Sequence, residues 1–258
     1  MMERNDWTKE QITIALYEYC RKPFGQFSAR KPFVQDLGKL MNRSAAAIVR
    51  KIGNLASFDP QMKERGVSGL SHTSHLDAEI WSKYYGHWNQ LAIDAEKLIA
   101  EFKSNLPSGI ELADYPELSI TGNNPPREKI NRTLFREMVL SAYDGQCCIT
   151  GIHNASLVDV CHIINSDKKE VLMDPCNGIA LNPLFHRAYD NNLIGISPDY
   201  EVFVSEDIIG KRLNGMGERT KEYILSFNHQ KIQMPRRFAP DQDLLAIHFE
   251  LYKQRQAI

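Results

Sequence analysis

The chain has 258 residues, 43% hydrophobic and 24% charged, with 31 Lys/Arg against 32 Asp/Glu. That length allows one large domain or two ordinary ones, with a core large enough to fold without staples. No apolar run approaches the roughly 18 residues of a membrane span, and the charged start "MMERNDWTKEQ" has no signal-peptide apolar region, so a cytoplasmic protein with no membrane partner is expected.

Five cysteines, an odd number, argue against a disulfide framework, and no CxxC spacing marks a structural zinc site. The near-neutral total hides a gradient. Residues 1–66 carry 12 Lys/Arg against 7 Asp/Glu, residues 67–126 carry 3 against 8, and residues 127–258 carry 16 against 17. A basic N-terminal end suits a nucleic-acid-facing module and equally an ordinary solvated helical face.

In chain order, residues 1–66 read as three short helices. Thr8 with Gln11 three residues on forms a capping box, and Ile12, Leu16 and Tyr19 recur at helical spacing. "KPFGQFSARKP" is a loop. Pro32 opens the second helix, whose buried face is Phe33, Leu37, Leu40 and Met41. Ser44 caps the third, which buries Ile48, Ile52 and Leu55 and carries Arg50, Lys51 and Asn54 on its other faces. Helix, loop, helix, tight turn, basic helix is the outline of a helix-turn-helix domain. It resembles the Myb type in Trp7 and "NRSAAAIVRKIGN", which makes Arg43, Arg50, Lys51 and Asn54 candidate DNA contacts.

Residues 76–103 read as one long helical stretch. Trp81, Tyr84, Tyr85 and Trp88 lie on it at helical spacing, a pattern of core or domain contact rather than base stacking. Residues 104–127, rich in Pro, Gly, Ser and Asn, are the linker candidate. The expected organisation is therefore a helix-turn-helix-like domain at 1–66, a helical connector and linker at 67–126, and a second domain at 127–258.

The second domain opens with the helix "EKINRTLFREMVLSAYDGQ". "CCIT" and "LVDVCHI" read as short strands joined by "GIHNAS". "NSDKKEVLMDPCNG" is a polar loop, and Asn182 with Pro183 starts a short helix holding His186 and Asp190. "LIGISPDYEVFVS" is a hairpin around Ser197, Pro198 and Asp199. His186 and Asp190, four apart, share a helix face and suit one divalent cation. Asp159 on the facing strand could add an oxygen, although strand alternation puts residues 159 and 162 on opposite faces unless the strand bends or bulges.

Taken in order, "CITG" from Cys148, "CHI" from Cys161, "NGIAL" from Asn177 and "FHRAYD" from Phe185 resemble the HNH nuclease family, in a restriction-endonuclease-like branch. The resemblance covers residues 132–205, and "IQMPRRFAPDQDLLAIHFELY" looks like the same branch's tail. It implies an α+β chain with a ββα-metal site. His162 matches the base that activates water, and Asn177 the middle Asn that holds the loop and orients that base. His186 matches the helix metal ligand, with Asp190 where a second would lie and Asp159 as the nearest acid for a third. One departure is Cys161, where many members place a metal-binding acid or histidine directly before the base; Cys148, Cys161 and Cys176 are most simply small buried hydrophobes, the alternative being a zinc cluster with His153 or His162.

The chemistry implied is DNA phosphodiester hydrolysis. An imidazole of ordinary pKa, about 6.5, is neutral enough near neutral pH to take a proton from water. An Asp/His/Asp shell favours Mg²⁺ or Mn²⁺, with Zn²⁺ or Ni²⁺ as alternatives. Arg187, beside His186, is a further candidate DNA contact. The implied role is restriction or defence against foreign DNA. Because one such site cuts one strand, a homodimer is compatible with cutting both, although no residue pattern marks an interface. The competing readings are a DNA-binding protein built on a silent HNH scaffold and, with less support, an RNA nuclease.

Overall fold

A computed structural model describes residues 6–66, 73–115, 127–209 and 217–256. The chain separates into two compact units, residues 1–141 and 142–258. The expected linker lies partly outside the described residues, at 116–126.

The first unit is helical. Its members are α1 (Lys9–Arg21), α2 (Pro32–Leu40), α3 (Ala45–Ala56), α4 (Pro60–Glu64), α5 (His75–Tyr84), α6 (Trp88–Ser104) and all but the last residue of α7 (Arg127–Ala142). The capping box of α1 forms as expected, Thr8 accepting from the Gln11 amide, and Ser44 caps α3 by accepting from Ala47. The single apolar stripe expected on α1 understates its burial: Gln11 to Arg21 are all buried, because α3, α5 and α6 pack around it. Its polar groups are therefore held internally. Gln11 donates to the Met41 carbonyl at 2.9 Å, the Tyr19 hydroxyl donates to Asp59 at 2.8 Å, and Arg21 bridges Glu18 and Glu137 at 3.0 and 2.5 Å.

The α2–α3 turn is tight enough to require Gly38, where an added Cβ would stand 2.7 Å from the Arg43 carbonyl oxygen. Phe33, expected in the core, is half-buried, and Val34 takes the buried position. The long helix expected over 76–103 is two helices. Gly86, at φ +78°, breaks it, since a left-handed residue cannot continue an α-helix. The aromatic run spans this break, with Trp81 stacked between Phe58 and Tyr85. Part of the expected linker is docked structure: the buried Tyr115 donates to Glu18 at 2.9 Å, and the Asp114 amide donates to Asp36 at 2.8 Å.

The second unit contains β1 (Asp159–His162), α8 (Lys169–Leu172), β2 (Gly178–Leu181), α9 (Pro183–Asp190), β3 (Ile194–Ile196), β4 (Val202–Val204), α10 (Glu206–Ile209), α11 (Glu218–Leu225) and α12 (Gln242–Gln256). Small sheets among helices make the chain α+β. "CCIT" is not a strand. It is a turn closed by the Gln146–His153 bridge, with Gly151 at φ +73° reversing the chain. The partner of β1 is instead β2, antiparallel, with Asp159 opposite Leu181, Cys161 opposite Ile179 and His162 opposite Gly178. Helix α9 follows at once, capped by Asn182 with Pro183 at its first turn, and packs on both strands. The expected hairpin is β3–β4, with Ser197 and Glu201 closing its turn. Helix α12 lies on β3 so closely that a Cβ at Gly195 would meet the Tyr252 ring at 2.7 Å. Among the described residues no helix is long and apolar enough to cross a membrane.

Candidate metal centre

Strand alternation puts Asp159 and Cys161 on one face of β1, and α9 packs against that strand. His186 and Asp190, one helical turn apart, meet them there. The His186 ring lies between two carboxylates: Nδ1 is 3.6 Å from Asp159 Oδ2, and Nε2 is 3.4 Å from Asp190 Oδ2. The Cys161 thiol donates to Asp190 Oδ1 at 3.6 Å. Cys161, His186 and Asp190 each offer a ligand atom, and all three atoms lie within 4.8 Å of one another. Sulfur, nitrogen and oxygen donors at that separation fit a divalent cation. Burial, then the negative charge of Asp190, push the Cys161 thiol well above its usual range.

His162, next along β1, is half-buried and lines a pocket of about 550 Å³ together with His186 and Asp190. Helix α12 lines the same pocket through Ile247, His248 and Leu251, of which Ile247 and Leu251 are half exposed. His248 stacks on Tyr189, and burial pulls its pKa down to about 4, so it is neutral near neutral pH.

Asn177 does not line this pocket. It is fully buried, with Nδ2 donating to the Ile164 carbonyl and Oδ1 accepting from the Ile164 amide, both at 3.0 Å. Its own carbonyl accepts from the Ile163 amide at 2.9 Å. These three bonds pin the chain directly after His162. Asn177, grouped in sequence with His162, thus meets the backbone that follows His162 rather than the pocket.

The candidate DNA contacts divide. Arg50 and Arg187 are exposed, and Asn54 is half-buried. Lys51 is not on a solvated face: it is 4% exposed and pairs with the fully buried Asp77 at 2.5 Å. Arg43 is half-buried, with its guanidinium 4.8 Å from the Trp7 ring centroid and donating to the Asp6 carbonyl and Gln11. Both serve the fold of the helical unit. Lys51 stands three residues after Ile48 and four before Leu55, on the apolar stripe itself, and that spacing marks it as inward.

Two residues beside this cluster were not among the sequence candidates. Cys161 was legible, being two residues from Asp159 and so on the same strand face. His248 was not, because nothing in "LLAIHFELY" shows which neighbour that helix will meet.

Residues 147–197 match a family described as HNH endonuclease. The matched segment contains Asp159, Cys161, His162, Asn177, His186 and Asp190, and it indicates a nuclease domain. No curated protein and no solved structure matches the chain.

Proposed function

We propose that the protein is a divalent-metal-dependent DNA endonuclease, with a cellular role in restriction or defence against foreign DNA. The observation that carries this reading is the single pocket lined by His162, His186 and Asp190, inside the segment that matches the nuclease family. In it, His162 accepts a proton from a water whose oxygen attacks phosphorus. The bond from phosphorus to the 3′-oxygen breaks, and that oxygen takes a proton from solvent. Asn177 holds the backbone so that the imidazole faces the pocket. His186 and Asp190 would hold a divalent cation, which when bound would supply positive charge that stabilises the developing negative charge of the transition state. Arg187, exposed on α9, would meet the phosphate backbone, and Arg50 would add a contact from the helix-turn-helix-like region 1–66.

The test is purified protein on supercoiled plasmid, unmodified and base-modified, with Mg²⁺, Mn²⁺, Zn²⁺, Ni²⁺ or chelator. Cation-dependent nicking or linearisation is expected. Tight, salt-sensitive binding with no cleavage under any condition would overturn the nuclease reading in favour of a binding protein.

A further inference from the structure

The sequence leads to Asp159, His186 and Asp190 as the metal shell, but the geometry of His186 divides them. A neutral imidazole has one nitrogen with a lone pair and one with a hydrogen, so it ligates through one and donates through the other. Here Nε2 faces Asp190 and Nδ1 faces Asp159, on opposite edges of the ring. One cation cannot take both edges. On the Asp190 edge a third donor is already in place, the Cys161 sulfur.

The donor set is that of a borderline cation. His186 Nε2 stands 3.4 Å from Asp190 Oδ2 and the Cys161 sulfur 3.6 Å from Asp190 Oδ1, so the carboxylate lies beside both other donors, and one atom from each residue falls within 4.8 Å of the rest. Mg²⁺ takes oxygen ligands and does not select sulfur.

We propose that Cys161, His186 Nε2 and Asp190 form the metal shell, and that Asp159, whose carboxylate faces His186 Nδ1 at 3.6 Å, is a positioning residue that favours the tautomer with its hydrogen on Nδ1 and its lone pair on Nε2. Binding the ion sends the thiol proton to solvent and leaves the fourth position for water or a phosphate oxygen. The metal preferred is then a borderline ion, Zn²⁺, Co²⁺ or Ni²⁺, rather than Mg²⁺. The proposal rests on the metal-nuclease reading only in taking this cluster as a cation site.

The experiment titrates the full-length protein with Co²⁺ and reads the near-ultraviolet thiolate-to-cobalt charge-transfer band. The wild type is expected to show this band together with intense tetrahedral d–d absorption. Cys161→Ser is expected to lose the charge-transfer band, with circular dichroism confirming its fold. Asp159→Ala is expected to keep the band and bind Co²⁺ about 10–100-fold more weakly, the usual loss for a supporting carboxylate. Asp159→Asn, which retains an acceptor, is expected to restore most of that affinity. A wild-type complex without the charge-transfer band, or a band undiminished in Cys161→Ser, would overturn the thiolate ligand. Asp159→Asn binding as weakly as Asp159→Ala would instead make Asp159 a ligand. Plasmid cleavage is scored separately. A thiolate band without cleavage removes the nuclease and leaves this shell standing, whereas Mg²⁺-supported cleavage without the band does the reverse.

Discussion

The imidazole of His248 lies flat on the phenol ring of Tyr189, with centroids 3.7 Å apart and planes 5° from parallel. This stack ties α12 to the helix that carries His186 and Asp190, and it has a pH signature. Burial holds the His248 pKa at about 4, outweighing the opposing pull of Asp190 and of the Tyr189 backbone. An unfolded chain binds this proton near pH 6.5, so stability is complete above that value and falls as pH drops from about 6.5 through 4. His248→Phe keeps the stack and removes the proton. Denaturation at pH 7 and pH 4 should show the wild type losing on the order of 2–3 kcal/mol more than the variant. Equal losses would show that His248 is not held neutral by the fold.

Lys51 and Arg50 are adjacent in sequence and opposite in role. Lys51→Ala leaves Asp77 buried without its cation, a change that costs roughly 3–5 kcal/mol. A large fall in urea midpoint is expected, and an unchanged midpoint would place Lys51 back on the surface. Arg50→Ala should leave the midpoint unchanged, weaken DNA binding, and reduce the slope of log affinity against log salt by about 1. An unaltered slope would remove α3 from the DNA contacts.

Asn177→Ala breaks both amide bonds to Ile164 and leaves two partly buried backbone groups without these partners. Each such group costs about 1–3 kcal/mol, so a clear loss of stability is expected by chemical denaturation. Under conditions where the variant is still folded, kcat should fall with Co²⁺ affinity retained, since Asn177 supports the base and not the metal. Loss of metal binding in a folded variant would contradict that division.

Gly195→Ala tests the seat of α12. The new methyl meets the Tyr252 ring at 2.7 Å, and overpacking of this kind costs typically about 1–3 kcal/mol. A neutral substitution would mean that α12 shifts without cost.

Legibility in the sequence followed the range of the interaction. The caps at Thr8, Ser44 and Asn182, and the i,i+4 pair His186/Asp190, are set by residues three or four apart and were readable. The pairing of β1 was not. Its partner "GIAL" is buried at all four positions and so lacks the alternation that marks a strand, whereas "CCIT", β-prone in composition, is bent by Gly151. The order His162, Asn177, His186, Asp190 pointed to the site, but the shell proposed above rests on the orientation of one imidazole between two carboxylates, which no spacing encodes.

The central claim is that His162 acts as the base beside a cation held by α9. The most direct measurement compares wild type and His162→Ala for nicking of supercoiled DNA, with Co²⁺ affinity and thermal unfolding recorded on the same preparations. The account predicts that cleavage by the variant falls by about 10²–10⁴-fold while metal affinity and unfolding temperature stay at wild-type values. Cleavage retained by a folded, metal-binding His162→Ala would contradict it.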